Sequence, residues 1–167
     1  MRWSCPVCRL VLDRVARTWC CANGHSFDIA KQGYCNLLLA HHKRSKAPGD
    51  SKEMLLGRRA FLDAGHYEPL ANAIATALAP HLPPNATLLD CGCGEGYYAQ
   101  RLRDALPIEV FGIDIARDGV RMAAARCKDN QGMEFAVASA RDVPLSDGSV
   151  DAVVQVFAPS SDQQVRR

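Results

Sequence analysis

Two groups of residues in this 167-residue chain have types and spacings that could do chemistry. The first is Cys5-x2-Cys8-x12-Cys21-x3-His25. Three thiolates and an imidazole suit a tetrahedral zinc ion, held by two tight knuckles joined through a hairpin. Gly24 supplies permissive backbone geometry beside His25. Cys20 competes with Cys21, but only Cys21 has the three-residue spacing to His25. So small a unit cannot bury a core, so metal binding would supply its folding energy. The second group is Leu88-Leu89-Asp90-Cys91-Gly92-Cys93-Gly94-Glu95-Gly96-Tyr97-Tyr98. It reads as the end of a buried strand, a glycine turn and the start of a helix. Glycine lets the backbone turn tightly and approach a ligand closely. The helix offers unpaired N–H groups at the same place.

The plain alternative for the second group is an ordinary strand-to-helix turn. A nicotinamide or flavin fingerprint would need glycine at 97, where this chain has Tyr97. The Gly-Lys-Ser/Thr ending of a P-loop is absent. Asp-x-Gly-x-Gly-x-Gly resembles the first motif of class I S-adenosylmethionine-dependent methyltransferases. The resemblance implies that Gly92, Gly94 and Gly96 cradle the methionine half of the cofactor, with Glu95 and Tyr97 in the same turn. It places Asp90 near the cofactor's charged amino end. Asp114 follows Gly94 by 20 residues, where an acid can hydrogen-bond ribose hydroxyls. Its alternative role is a helix N-cap. Ser139 fills the position after the third strand where many class I methyltransferases carry an acid near the adenine amine. Adenine recognition would then rest on backbone groups and the hydroxyl.

These residues must be positioned by alternating strands and helices. Strands are expected at 87–91, 109–113, 134–138 and 151–156, with helices at 97–106 and 117–127. Short apolar strands alternating with helices argue for a parallel sheet covered on both faces. Upstream, Asp50 and Glu53 resemble a capping box opening a helix to about Ala64, with Gly65 as its stop. A second helix is expected from Glu68 to His81, with Pro69 in its first turn and Pro83-Pro84 beyond it. The expected fold class is α/β. Residues 1–30 would form a zinc-ribbon-like module and 31–66 a basic connector and helix. Residues 67–167 would form the N-terminal part of a class I, Rossmann-like methyltransferase domain.

A hydrophobic content of 48% and a charged content of 23% describe a globular protein. No apolar run approaches the roughly 18 residues of a transmembrane helix, so no membrane partner is expected. Met1–Cys5 lacks the apolar core of a signal peptide, so the expected location is cytoplasmic. Without an export signal, the eight cysteines argue for metal binding over a disulfide scaffold. Cys35, Cys91, Cys93 and Cys127 are expected as reduced, packed thiols. Charge is uneven: residues 1–66 hold eleven Lys/Arg against five Asp/Glu, and residues 67–167 hold nine against thirteen. A basic head carrying Arg2, Arg9, Arg14, Arg17, Lys43, Arg44 and Lys46 suggests a polyanionic partner. A solvated charged face is the bland alternative.

Taken with Phe27-Asp28, Tyr34-x-Asn36-Leu37-Leu38, His42-Lys43-Arg44-Ser45 and Pro48-Gly49-Asp50-Ser51, these motifs resemble the RlmA family. Arg58-Arg59-Ala60-Phe61-Leu62 and Gly65-His66-Tyr67 extend the match. That family comprises 23S ribosomal RNA (guanine-N1)-methyltransferases. The resemblance implies a zinc-bearing RNA-recognition module, S-adenosylmethionine as cofactor, and Tyr67 closing over it. It also implies a guanine in a 23S rRNA hairpin loop as substrate. Family members continue through three further strands, so a truncated member with RNA binding but little methyl transfer is expected. The catalytic residue is unassigned: Asp142 and Asp147 fall in the plausible region, but both read as turn residues. A small-molecule methyltransferase and a non-catalytic zinc-dependent RNA-binding fragment are the rivals. The oligomeric state is open, with a homodimer among the options.

Overall fold

The computed structural model describes residues 3–40, 48–159 and 162–167. Arg2 and the basic stretch 41–46 therefore lie outside the described residues. Strands β1 (Asp13–Val15), β2 (Thr18–Cys20) and β3 (Ser26–Asp28) form a small antiparallel sheet in that order. Trp19 sits opposite both Arg14 and Phe27. The hairpin thus separates the Cys5–Cys8 knuckle from the Cys21–His25 knuckle.

A five-stranded parallel sheet follows, in the order β4-β7-β6-β5-β8. Its strands are β4 (Cys35–Asn36), β5 (Thr87–Cys91), β6 (Glu109–Asp114), β7 (Met133–Val137) and β8 (Ala152–Val154). Three lie within a residue of the expected limits. The fourth is shorter than expected: its pairing with β5 ends at Asp90 and Val154, where β5 gives way to the glycine turn. Strand β4 has two residues, too few for a period-2 signal, and comes from the connector. It adds an edge to the sheet beside β7, so residues 31–66 share the core of the domain that follows.

The helices are α1 (Lys52–Asp63), α2 (Glu68–Leu78), α3 (Tyr97–Ala105), α4 (Arg117–Arg126) and the short α5 (Asp162–Val165). A 3-10 turn, Ala79–His81, ends α2. One correction concerns the cap of α1. Ser51, with extended φ and ψ, accepts a hydrogen bond from the Met54 N–H at 3.2 Å. Asp50 lies one residue too early to cap, and instead pairs with Arg58 at 2.6 Å.

Strand alternation sends Leu88 and Leu89 to opposite faces of the sheet. On one face Leu88, Val110, Phe135 and Val137 pack with Ala99 and Leu102 of α3 and with Val120 and Ala123 of α4. On the other, Leu89, Cys91, Phe111 and Ile113 pack with Trp3, Cys5, Leu12 and Trp19. The Trp3 ring meets Phe111 edge-on, 4.9 Å between centroids. Both faces are covered, but the second cover is the N-terminal module. Among the described residues, no helix is long and apolar enough to cross a membrane.

Candidate cofactor cavity and metal cluster

The ligand atoms of Cys5, Cys8, Cys21 and His25 all lie within 4.8 Å of one another. Individual separations are 3.6 Å from Cys5 Sγ to His25 Nδ1, 3.7 Å between the Cys8 and Cys21 sulfurs, and 3.3 Å from Cys21 Sγ to His25 Nδ1. Zinc–sulfur bonds near 2.3 Å and zinc–nitrogen bonds near 2.0 Å give tetrahedron edges of about 3.5–3.8 Å. The donor set therefore fits that ion. Burial works against ionising Cys21, but hydrogen bonds from His25 prevail and bring its thiol down to about 6. A thiolate is the form that binds metal. Cys20 stands outside the cluster, on β2 opposite Ser26. All eight cysteines are free thiols, with Cys35, Cys91, Cys93 and Cys127 buried.

At the carboxyl end of β5 the chain enters the glycine turn. Gly92, Gly94 and Gly96 all have positive φ, at +91, +53 and +88. A Cβ on Gly96 would come within 2.8 Å of Ala123 Cβ, so glycine is needed for α4 to approach the turn. A Cβ on Gly94 would meet only the end of Arg58, at 3.7 Å, because that side faces an open cavity. The cavity measures about 1120 Å³. The turn, Asp114, the 138–142 loop after β7 and the Val156–Pro159 segment after β8 line it. It thus lies outside the carboxyl ends of the strands, where open α/β sheets bind ligands.

The acids take different places around the turn. Asp114 Oδ2 accepts a hydrogen bond from the Gly94 N–H at 2.9 Å, and Oδ1 one from Ala116 N–H at 2.7 Å. It lines the cavity and braces the turn, and it serves the start of α4 as well. Asp90 lies beneath the turn, 2% exposed, and is not among the cavity-lining residues. Burial, and then the nearby Asp114 carboxylate, push its carboxyl up to about 7. Its Oδ2 has no hydrogen-bond partner, and neither does Oε1 of Glu95. Glu95 is 1% exposed and accepts from Arg126 at 2.6 and 2.9 Å. That buried pair ties the turn to α4, and Arg126 continues to Asp63 of α1 at 2.8 Å.

Tyr97 is buried and meets Tyr98 edge-on at 5.2 Å, while Arg101 lies 5.7 Å over its ring. Ser139 lines the cavity, its hydroxyl accepting from the Arg141 N–H at 3.2 Å. Tyr67 stands on the rim, 5.6 Å from Phe61 and 5.6 Å from Phe157. Phe61 stacks on His66 at 4.6 Å. Phe157 is 80% exposed. Single-sequence reasoning missed this aromatic rim, since Phe61 and Phe157 are almost a hundred residues apart. Asp142 lines the cavity and pairs with Arg9, whereas Asp147 pairs with Arg167 at 2.6 Å, outside it.

Comparison with known proteins follows the same two units. Residues 3–46 match a family model described as RlmA, N-terminal, a zinc ribbon. Residues 88–166 match a methyltransferase-domain model. The 23S rRNA (guanine(748)-N(1))-methyltransferase of Streptomyces fradiae is 35% identical over 167 residues, 98% of this chain and 58% of that protein. A candidate 23S rRNA (guanine-N(1)-)-methyltransferase of Micromonospora griseorubida is 36% identical over 182 residues, 98% of this chain and 60% of that protein. The chain thus spans about 60% of the length of the curated relatives it matches. A candidate S-adenosylmethionine-dependent methyltransferase of Methanococcus maripaludis superposes with a TM-score of 0.59, covering 74% of this chain and 62% of that one. At 15% identity this likeness concerns the fold alone. The N-terminal module thus matches the RlmA zinc-ribbon family, the following residues match a methyltransferase domain, and nearly the whole chain aligns with these relatives.

Proposed function

We propose that this chain carries the zinc and cofactor sites of a 23S rRNA (guanine-N1)-methyltransferase acting in the cytoplasm. Cys5, Cys8, Cys21 and His25 hold one zinc ion. S-adenosylmethionine lies in the cavity, with the glycine turn under its methionine half, Asp114 at the ribose and Ser139 toward the adenine. The unpartnered oxygens of Asp90 and Glu95 supply negative charge for its ammonium group. The observation that carries this reading is the glycine turn and Asp114 meeting across one large cavity, in a chain aligned throughout with 23S rRNA methyltransferases.

The cofactor, when bound, supplies a sulfonium-activated methyl group. The protein's part is alignment, holding the acceptor nitrogen about 3–3.5 Å behind the methyl carbon. Tyr67, Phe61 and Phe157 offer aromatic faces beside the cavity mouth. Such faces suit a loop guanine taken out of its stack. Guanine N1 also carries a proton that must leave as the new N–C bond forms. No residue is assigned that role, because Asp142 is engaged by Arg9 and Asp147 lies outside the cavity.

The test is methyl transfer to a guanine-containing 23S hairpin, read by mass spectrometry of the nucleosides, alongside calorimetry with S-adenosylhomocysteine. The expected results are a single cofactor site in this chain and N1-methylguanosine from the same residues joined to a full-length C-terminal half. Transfer to small molecules but not to the hairpin would replace the RNA reading. Absence of any cofactor binding would remove the cavity assignment.

A further inference from the structure

By charge alone Arg9 belongs to the basic head, among residues expected to face a polyanion. The structure gives its guanidinium a fixed partner in the 138–142 loop instead. Arg9 directly follows Cys8 of the cluster and adopts φ +64, in the left-handed region. Its N–H donates to the Cys5 carbonyl at 2.8 Å, so its backbone is part of the metal knuckle. Its guanidinium donates to Asp142 Oδ1 and, at 3.4 Å, to the Val143 carbonyl. Arg9 and Asp142 both line the cofactor cavity.

The same knuckle holds the same loop at further points. Ser4 N–H donates to the Pro144 carbonyl at 2.8 Å, and the Ser4 and Ser146 hydroxyls are 3.0 Å apart. Cys5 and Leu12 share a core with Ala138, Val143 and Leu145. The loop in turn reaches the glycine turn's brace, because Ala138 N–H donates to the Asp114 carbonyl at 3.0 Å. A continuous chain of contacts thus runs from a cluster ligand to the wall of the cavity.

We propose that Arg9 is a positioning residue that locks the 138–142 loop to the metal knuckle, so that metal occupancy and affinity for the adenosine half of the cofactor rise together. This rests on the reading of that loop as the adenosine side of the cavity. The ion pair is half exposed, with Arg9 at 52% and Asp142 at 21%, so its own share is small. Loss of the pair alone should weaken binding about two- to fivefold. Loss of the metal removes the pair, the Ser4 bond and the shared packing together. Coupling between such sites is commonly about five- to 150-fold and reciprocal, so cofactor product should tighten zinc by the same factor.

The experiment measures S-adenosylhomocysteine affinity, zinc content and amide exchange at residues 138–143 in the full chain. Arg9→Gln should keep one zinc and its melting temperature, bind about two- to fivefold more weakly, and exchange faster in the loop. Aspartate tolerates positive φ, so the reversed pair Arg9→Asp with Asp142→Arg should return affinity to within about twofold. Unchanged affinity and exchange in Arg9→Gln would overturn the proposal. So would a reversed pair that recovers nothing, since Arg9 would then act by touching the ligand itself. If the unmodified chain binds no S-adenosylhomocysteine, the cavity reading fails, while loop exchange with and without zinc still decides the tie.

Discussion

The two faces of the parallel sheet are closed by different physics. Against Leu88, Val110 and Val137, helices α3 and α4 bury small residues such as Ala99, Ala123 and Ala124, each needing no ion. Against Leu89, Phe111 and Ile113, the cover is a hairpin of three-residue strands. Its large buried side chains, Trp3, Leu12 and Trp19, mostly serve the shared interface. Each is worth about 1.5–3 kcal/mol when fully buried. Its three strands are only three residues each, however, and the four cluster ligands join its two knuckles. The helical face should therefore survive metal loss far better than the hairpin.

Zinc removal is the sharpest break of that asymmetry and carries the largest expected effect. Structural zinc in small modules contributes about 10–16 kcal/mol of binding energy at neutral pH. A chelator, or Cys8→Ser, should release zinc and expose Trp3 and Trp19, read by tryptophan emission. Amides of β5 and β6 should stay protected for longer than those of β1 and β2. Cys20→Ser should retain the metal. Zinc lost from Cys20→Ser and kept in Cys21→Ser would overturn the ligand register.

On the helical face the comparable anchor is the Glu95–Arg126 pair, with the two residues' side chains 1% and 11% exposed. Removing one member of a buried pair costs about 3–5 kcal/mol when the other charge is left uncompensated; here Asp63 still faces Arg126, which sets the loss near the lower end, about 3 kcal/mol. Glu95→Ala should lose that much in urea unfolding while keeping its zinc. Simultaneous loss of zinc would mean that the two faces are not energetically separable. Gly94→Val acts at the same turn but on the open side. A branched side chain at φ +53, projecting into the cavity, should abolish S-adenosylhomocysteine binding in calorimetry. Unchanged binding would show that the cofactor does not use this turn.

Legibility in the sequence followed the same division. The metal cluster was readable because its donors fall in fixed local spacing, and Cys21 was separable from Cys20 on that spacing alone. The glycine turn, β5, β6 and the helices around them were readable from apolar runs and turn residues within about thirty positions. What was hidden depends on distance along the chain. The role of β4 needs β7, a hundred residues away, and the aromatic rim needs Phe157 brought beside Tyr67. Arg9 was read as part of a basic face because charge alone cannot show that its guanidinium meets Asp142 and the Val143 carbonyl, more than 130 residues away. The family resemblance named Asp90 as a cofactor residue but could not show that it lies beneath the cavity.

That buried acid gives the smallest and most discriminating effect. Asp90 has its carboxyl raised to about 7 by burial and by Asp114, against about 3.9 in an unfolded chain. With the folded value raised, the native state binds more protons than the unfolded one between those limits. Its stability contribution is therefore full below about pH 4 and is lost as pH rises through about 7. Binding of a cationic ammonium above Asp90 should favour the ionised form and release its proton. S-adenosylhomocysteine affinity should then rise from pH 6 to 7.5, by at most about tenfold per unit. Asp90→Asn should flatten that rise and also flatten the fall in stability toward pH 8. Asp114 is raised as well, by burial, with Ala116 and Gly94 N–H groups opposing it; because its carboxylate helps raise Asp90, Asp114→Asn should move the rise to lower pH rather than flatten it. Calorimetry in two buffers of different ionisation enthalpy would count the released protons. An affinity that stays level across that range, with no proton released, would detach Asp90 from the cofactor and leave it a structural acid of the helical face.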